Sequence, residues 1–100
     1  MTRLCVVAVA MMAAWILWSK DDDHPTWRWT IEQAYEQREE CQQGLRGLVE
    51  WWGELLALMK KRGGVDRDSF VAGNMVRIKR PGKIDTEVRY LCLPESVDPR

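Results

Sequence analysis

Histidine is almost missing from this 100-residue chain: His24 stands alone. A catalytic or metal-binding group that needs two imidazoles is therefore excluded, and no Cys-x-x-Cys spacing compensates. His24 follows three aspartates and reads as a solvated turn residue. There is no Gly-x-Ser-x-Gly and no glycine-rich loop to cradle a phosphate. An excess of one charge is also lacking, since 15 basic residues face 15 acidic ones. Non-specific nucleic-acid binding needs a basic patch to neutralise phosphates, so a neutral surface argues against it. No block of like charge exceeds Asp21, Asp22 and Asp23, which excludes a polyelectrolyte tail. Glu39 and Glu40 are the nearest approach to a carboxylate pair. Neighbours on a helix point in different directions, so they read as helix-start charges. The expectation is no enzyme, no cofactor and no metal site.

What is present begins with an apolar run over residues 4–18, behind one positive charge at Arg3 and threaded with Ala8, Ala10, Ala13 and Ala14. Three readings compete. A cleaved export signal needs an apolar core of about 7–15 residues and a small-residue site, which residues 4–12 and Ala13-Ala14 supply. A retained membrane anchor needs about 20 apolar residues, and the run is shorter. The third reading makes it a hydrophobic N-terminal element of a cytosolic domain. The length favours the signal. The expected division is a leader over residues 1–14, one domain over 15–94 and an extended tail over 95–100. Losing the leader removes only Arg3 among the charges, so the remainder stays near neutral.

Of three cysteines, Cys5 lies in the leader. Cys41 and Cys92 allow one pairing. In an oxidising compartment that bond would close a loop of roughly 50 residues, worth about 4 kcal/mol in the chain-entropy model. A redox-active thiol would need exposure, and the apolar neighbours of both residues argue for a structural bond. Six tryptophans are many for this length. They read as core volume in a domain with little core to spare, with a surface aromatic patch as the functional alternative.

The segment from Trp15 to Trp18 is aromatic and branched and runs into the turn-forming Asp21-Asp22-Asp23-His24-Pro25, as a strand entering a loop does. Trp27, Trp29 and Ile31 alternate with Arg28, Thr30 and Glu32, which predicts a half-buried strand pairing back on the first. A helix is predicted over residues 37–62. Cys41, Leu45, Leu48, Val49, Trp52, Leu55, Leu56 and Met59 share one face at a period of 3.6. Acidic residues crowd its start, Lys60, Lys61 and Arg62 its end, and Gly63-Gly64 stops it. Gly44, Gly47, Trp51 and Leu58 lie on one flank. The glycines are expected to make room for the indole of Trp27 or Trp29; otherwise Trp51 and Leu58 form a partner or dimer surface. Residues 75–80 and 86–92 alternate around Pro81-Gly82 as a second hairpin, with Val88, Tyr90 and Cys92 facing inward. Strand, strand, helix, strand, strand predicts an α+β domain: a small antiparallel sheet of two hairpins packed on one long amphipathic helix and stapled by a disulfide.

Trp15-Ile16-Leu17-Trp18, the Glu40-Cys41 helix start and the ending Cys92-Leu93-Pro94-Glu95-Ser96-Val97-Asp98-Pro99-Arg100 resemble a group of small exported bacterial proteins. That group has an apolar leader, a WVLW-like strand, an "EC" helix start and a CLPxTVDPR-like C-terminus. The resemblance implies export and architecture, and no activity. Some members look like lipoproteins. Thr2-Arg3-Leu4-Cys5 departs from that pattern, so either lipidation is absent or the true start lies upstream. The functional expectation is an exported, periplasmic or secreted binding module with a protein or envelope partner and no nucleic acid. The alternative is an inner-membrane-anchored accessory protein that keeps its N-terminal segment. The sequence identifies neither the ligand nor the oligomeric state.

Overall fold

The computed structural model describes residues 14–22 and 28–100. The expected leader, apart from Ala14, lies outside the described residues, as do Cys5, His24 and Trp27. The elements run β1 (Trp15–Asp21), β2 (Trp29–Tyr35), α1 (Arg38–Lys61), β3 (Phe70–Ala72), β4 (Met75–Ile78) and β5 (Thr86–Pro94). They form one antiparallel five-stranded sheet in the order β2-β1-β5-β4-β3, crossed by α1. The two hairpins join where β1 pairs with β5, Leu17 opposite Cys92 and Ser19 opposite Tyr90.

Helix α1 starts and stops as the charge pattern requires. Glu40 accepts a 3.2 Å hydrogen bond from the backbone N–H of Gln37. At the other end Gly63 takes a positive φ of 75°, which a side chain would resist. The N–H of Gly64 then reaches the carbonyl of Met59 and that of Gly63 reaches Lys60, so two end carbonyls are satisfied. Val65, just beyond, is buried and anchors the exit.

Leu17, Cys41, Leu56, Val65, Val76, Ile78, Val88 and Tyr90 form the core between helix and sheet. Leu45, Leu48, Val49, Trp52 and Met59 pack against it from the helix. The buried hydroxyl of Ser69 donates to the carbonyl of Lys79 and accepts from its N–H, so it leaves nothing unsatisfied.

Three expectations change. The sheet has a fifth strand, β3, paired with β4 through a two-residue turn at Gly73-Asn74, where Gly73 has φ 59°. Strand β2 puts its apolar alternation on the other layer. Trp29 pairs with Lys20 and Ile31 with Trp18, and neither joins the core beneath the helix. A register shift between Leu17 and Trp18 leaves Glu32 out of the ladder register with β1, although its carboxylate accepts a 2.6 Å hydrogen bond from the Ser19 hydroxyl. Ile31 is 56% exposed as a result. The third concerns the glycines. A Cβ at Gly44 would sit 2.1 Å from the hydroxyl of Tyr35, so among the described residues the ring Gly44 admits is the Tyr35 phenol rather than the Trp29 indole, and Trp27 lies outside them. Among the described residues nothing lies within 4 Å of a Cβ at Gly47.

Candidate functional site

The disulfide joins the first turn of α1 to the strand at the centre of the sheet. Cys41 and Cys92 are bonded, with their Cα atoms 6.0 Å apart across 51 residues of chain. Cys41 is wholly buried, and Cys92 packs against the same cluster beside Leu17. The bond clamps the helix start onto β5 while Trp52 does the same near its middle. There the indole Nε1 donates a 2.7 Å hydrogen bond to the Tyr90 hydroxyl. Burial pushes the Tyr90 phenol above its ordinary 10.0, only partly opposed by that indole N–H and reinforced by the charges of Glu32 and Asp21.

Trp51 and Leu58 lie two helical turns apart on the flank of α1 turned from the core. They are 52% and 45% exposed. Trp51 does not hang free: its ring meets that of Trp52 edge-on, centroids 5.0 Å apart and planes at 71°. A half-buried indole thus props an exposed one. Among the described residues, nothing covers the surface at Gly47 one turn earlier. Chemically this stripe offers an apolar contact face.

The layer of the sheet facing away from α1 holds a second feature. Beyond Pro94 the chain turns back, with Val97 N–H on the Pro94 carbonyl and Glu95 N–H on that of Ala14. The expected extended tail instead returns to the sheet and sets the Arg100 guanidinium 5.2 Å above the Trp18 ring. Asp98 holds that guanidinium through Nη2 at 2.8 Å and Nε at 3.0 Å, and accepts the Arg100 backbone N–H at 2.9 Å. These bonds hold the Asp98 carboxyl well below the usual range, at about 2. Trp18 is 3% exposed, yet its Nε1 has no hydrogen-bond partner among the described residues. Leaving a buried donor unpaired costs about 1–3 kcal/mol. Beside this stack opens a cleft of about 470 Å³ lined by Lys20, Arg28, Trp29, Pro99 and Arg100. Lys20 Nζ lies 5.6 Å from the centroid of the Trp29 ring.

Further along the same layer, Glu87 bridges Arg77, at 2.9 Å, and Arg89. The two guanidiniums hold the Glu87 carboxyl below its ordinary 4.5. Among the described residues no group of three or more His, Cys, Asp or Glu side chains is placed to hold a metal. No helix among them is long and apolar enough to cross a membrane.

The structure brings Cys41 and Cys92 together and places Trp51 and Leu58 on one exposed flank. The cleft on the opposite layer escaped the sequence reading. Its walls come from β1, the start of β2 and the last two residues, and no periodicity connects segments that distant. The one usable signal was the turn chemistry of Pro94, Glu95 and Ser96, which permits the tail to reverse. No family model, curated protein or solved structure matches the chain.

Proposed function

We propose that this chain is a small exported domain, periplasmic or secreted, that works by binding a protein or envelope partner rather than by catalysis. The observation that carries the reading is the position of the Cys41–Cys92 bond. It ties the helix start to the central strand from inside the core, and it closes a loop long enough to contribute about 4 kcal/mol. A small domain has a total stability of only about 5–15 kcal/mol, so this fold depends on its oxidised form. Reducing compartments do not maintain such a bond, whereas the periplasm and the exterior do. The leader expected over residues 1–14 supports the same compartment. The exposed stripe of Trp51 and Leu58 supports binding, because a propped aromatic ring is a low-entropy anchor for an apolar partner face.

Intact mass of the protein recovered from cells, before and after reduction, tests this. The expected species begins near Trp15 and gains about two hydrogens on reduction. A full-length mass with free thiols overturns the reading. A full-length mass with the bond intact leaves export standing and makes the protein membrane-anchored.

A further inference from the structure

We propose that two copies of this chain pair edge to edge through β2, in the antiparallel register that sets Glu32 of each copy opposite Gln33 of the other. Strand β2 closes one side of the sheet, with β1 as its one neighbour among the described residues. Residues 30–34 are all exposed. An open strand edge is a row of unpaired N–H and C=O groups, and proteins guard such edges with proline, lysine, bulges or very short strands. At the opposite edge, β3 is only three residues long. Strand β2 has seven, with no proline and no lysine. Its one charge, Glu32, is drawn onto its own sheet by the Ser19 hydroxyl. The bulge is the guard that remains, and it selects the partner.

The ladder fixes which groups face the open edge. The N–H of Asp22 reaches the carbonyl of Glu87, and that of Glu95 reaches the carbonyl of Ala14. Even-numbered residues along β1 therefore bond to β5, which leaves Leu17 and Ser19 to bond to Gln33 and Thr30 of β2. Backbone direction alternates together with side-chain face, so Ile31 and Ala34 aim their N–H and C=O outward and their side chains at the layer away from α1. At the bulge two consecutive residues share the helix layer. Gln33 lies opposite Leu17 of the core, and Glu32 is bonded to Ser19, which is on the Leu17 face of β1. A regular strand alternates without interruption, so against β2 it matches faces on one side of the bulge and mismatches them on the other. A strand with the same bulge matches on both sides, and a second copy supplies one. A two-fold axis between Glu32 and Gln33 is the self-pairing that keeps every face matched along the strand. It sets Ile31 opposite Ala34 on both sides of the axis, each pair exchanging two main-chain hydrogen bonds. It gives the exposed Ile31 an apolar neighbour. It also meets the Glu32 carboxylate with the amide donor of Gln33 instead of a second carboxylate. The pairing uses neither Trp51 nor Leu58 and does not depend on the compartment.

The test is sedimentation of the oxidised protein, as recovered from cells, over a range of concentrations, with amide hydrogen exchange on the same samples. One strand edge is small beside a standard interface, so the dimer should dissociate on dilution. The mass is expected to rise from one chain to two with concentration. The Ile31 and Ala34 amides should exchange at least about tenfold more slowly as the dimer fills. The Thr30 and Gln33 amides, bonded to β1, should be protected at every concentration. Ala34→Pro removes an N–H that only the dimer uses, on an edge strand where proline is tolerated. That variant should stay monomeric with an unchanged circular dichroism spectrum. Should it fail to fold, the exchange pattern of the unaltered protein decides alone. A monomer mass up to about 1 mM protein overturns the proposal and leaves the edge to a strand of another protein. A dimer in which Ile31 and Ala34 still exchange freely, or one that Trp51→Ala dissolves and Ala34→Pro does not, overturns it and moves the contact to the helix flank.

Discussion

The indole of Trp52 donates a 2.7 Å hydrogen bond to the hydroxyl of Tyr90, linking the middle of α1 to the central strand β5. Both rings are largely withdrawn from water, and each carries one polar atom that must be paired there. The bond satisfies both at once. It also fixes the helix face, because rotating α1 by one residue would carry the Trp52 Nε1 away from its acceptor.

Replacing Tyr90 with Phe keeps the ring and removes the acceptor. The Trp52 N–H is then stranded, at a cost of about 1–3 kcal/mol. For a domain of this size each kcal/mol lowers the Tm by about 4–8 °C. Trp51→Ala, one residue away but exposed, should cost about 0.5 kcal/mol or less. Thermal unfolding of the two variants checks this, and equal losses would refute the assigned roles.

The same burial makes stability fall at alkaline pH. The Tyr90 phenol is raised above its ordinary 10.0 in the folded state, so the folded protein holds this proton more tightly than the unfolded chain. Its contribution is therefore complete below pH 10 and declines as pH rises from there through the folded value. Denaturant midpoints between pH 8 and 11 should show a decline that Tyr90→Phe removes. Identical slopes in both proteins would count against the buried phenol.

Two glycines one turn apart should respond oppositely to alanine. At Gly47 no described residue lies within 4 Å of an added Cβ, so Gly47→Ala should stabilise by about 1 kcal/mol through helix propensity. At Gly44 the new Cβ falls 2.1 Å from the Tyr35 hydroxyl and 2.8 Å from Cζ, and the ring must leave its place against Trp15 and α1. Overpacking of this kind costs about 1–3 kcal/mol and cancels or exceeds the propensity gain. Combining Gly44→Ala with Tyr35→Ala should restore stability relative to the sum of the single changes. An additive pair would show that the ring moves aside without cost.

Much of this architecture was legible in local patterns. The 3.6-residue spacing of Cys41, Leu45, Leu48, Val49, Trp52, Leu56 and Met59 has one solution, and α1 over Arg38–Lys61 is that solution. The pairing of Cys41 with Cys92 followed from their being the two cysteines outside the expected leader, and Val88, Tyr90 and Cys92 do share the face turned to the helix. Strand β3 escaped because three residues are too short for alternation to register, although Gly73-Asn74 is a hairpin turn signal. The layer assignment of β2 failed for a different reason. Alternation says that Trp29 and Ile31 share a face, and it does not say which layer that face meets. The bulge at Glu32 and the tail over Trp18 give the sheet a second apolar layer. Tyr35 could have been named as the partner of Gly44, since it closes the strand that feeds the helix. The cleft was not legible at all, because its walls are brought together only by the reversal of the tail.

The tail's hold on that layer should be acid-labile at a defined point. Asp98 keeps Arg100 in place through side-chain and backbone hydrogen bonds, and these hold the carboxyl at about 2 against an ordinary 3.8. A depressed carboxylate stabilises the arrangement in full above its unfolded value and loses that contribution as pH falls through the folded one. The Arg100–Trp18 stack should therefore persist from neutral pH down past pH 3 and release near pH 2. Trp18 ring-proton shifts report the stack directly, since a guanidinium over an indole moves them. Asp98→Asn should loosen it already at pH 6, because the charge that pins Arg100 is gone while the shape is kept. The edge-on pair of Trp51 and Trp52, on the helix and away from the tail, serves as the internal control. Trp18 shifts that are the same in Asp98→Asn and in the unaltered protein would mean that the tail is held by its backbone turn alone.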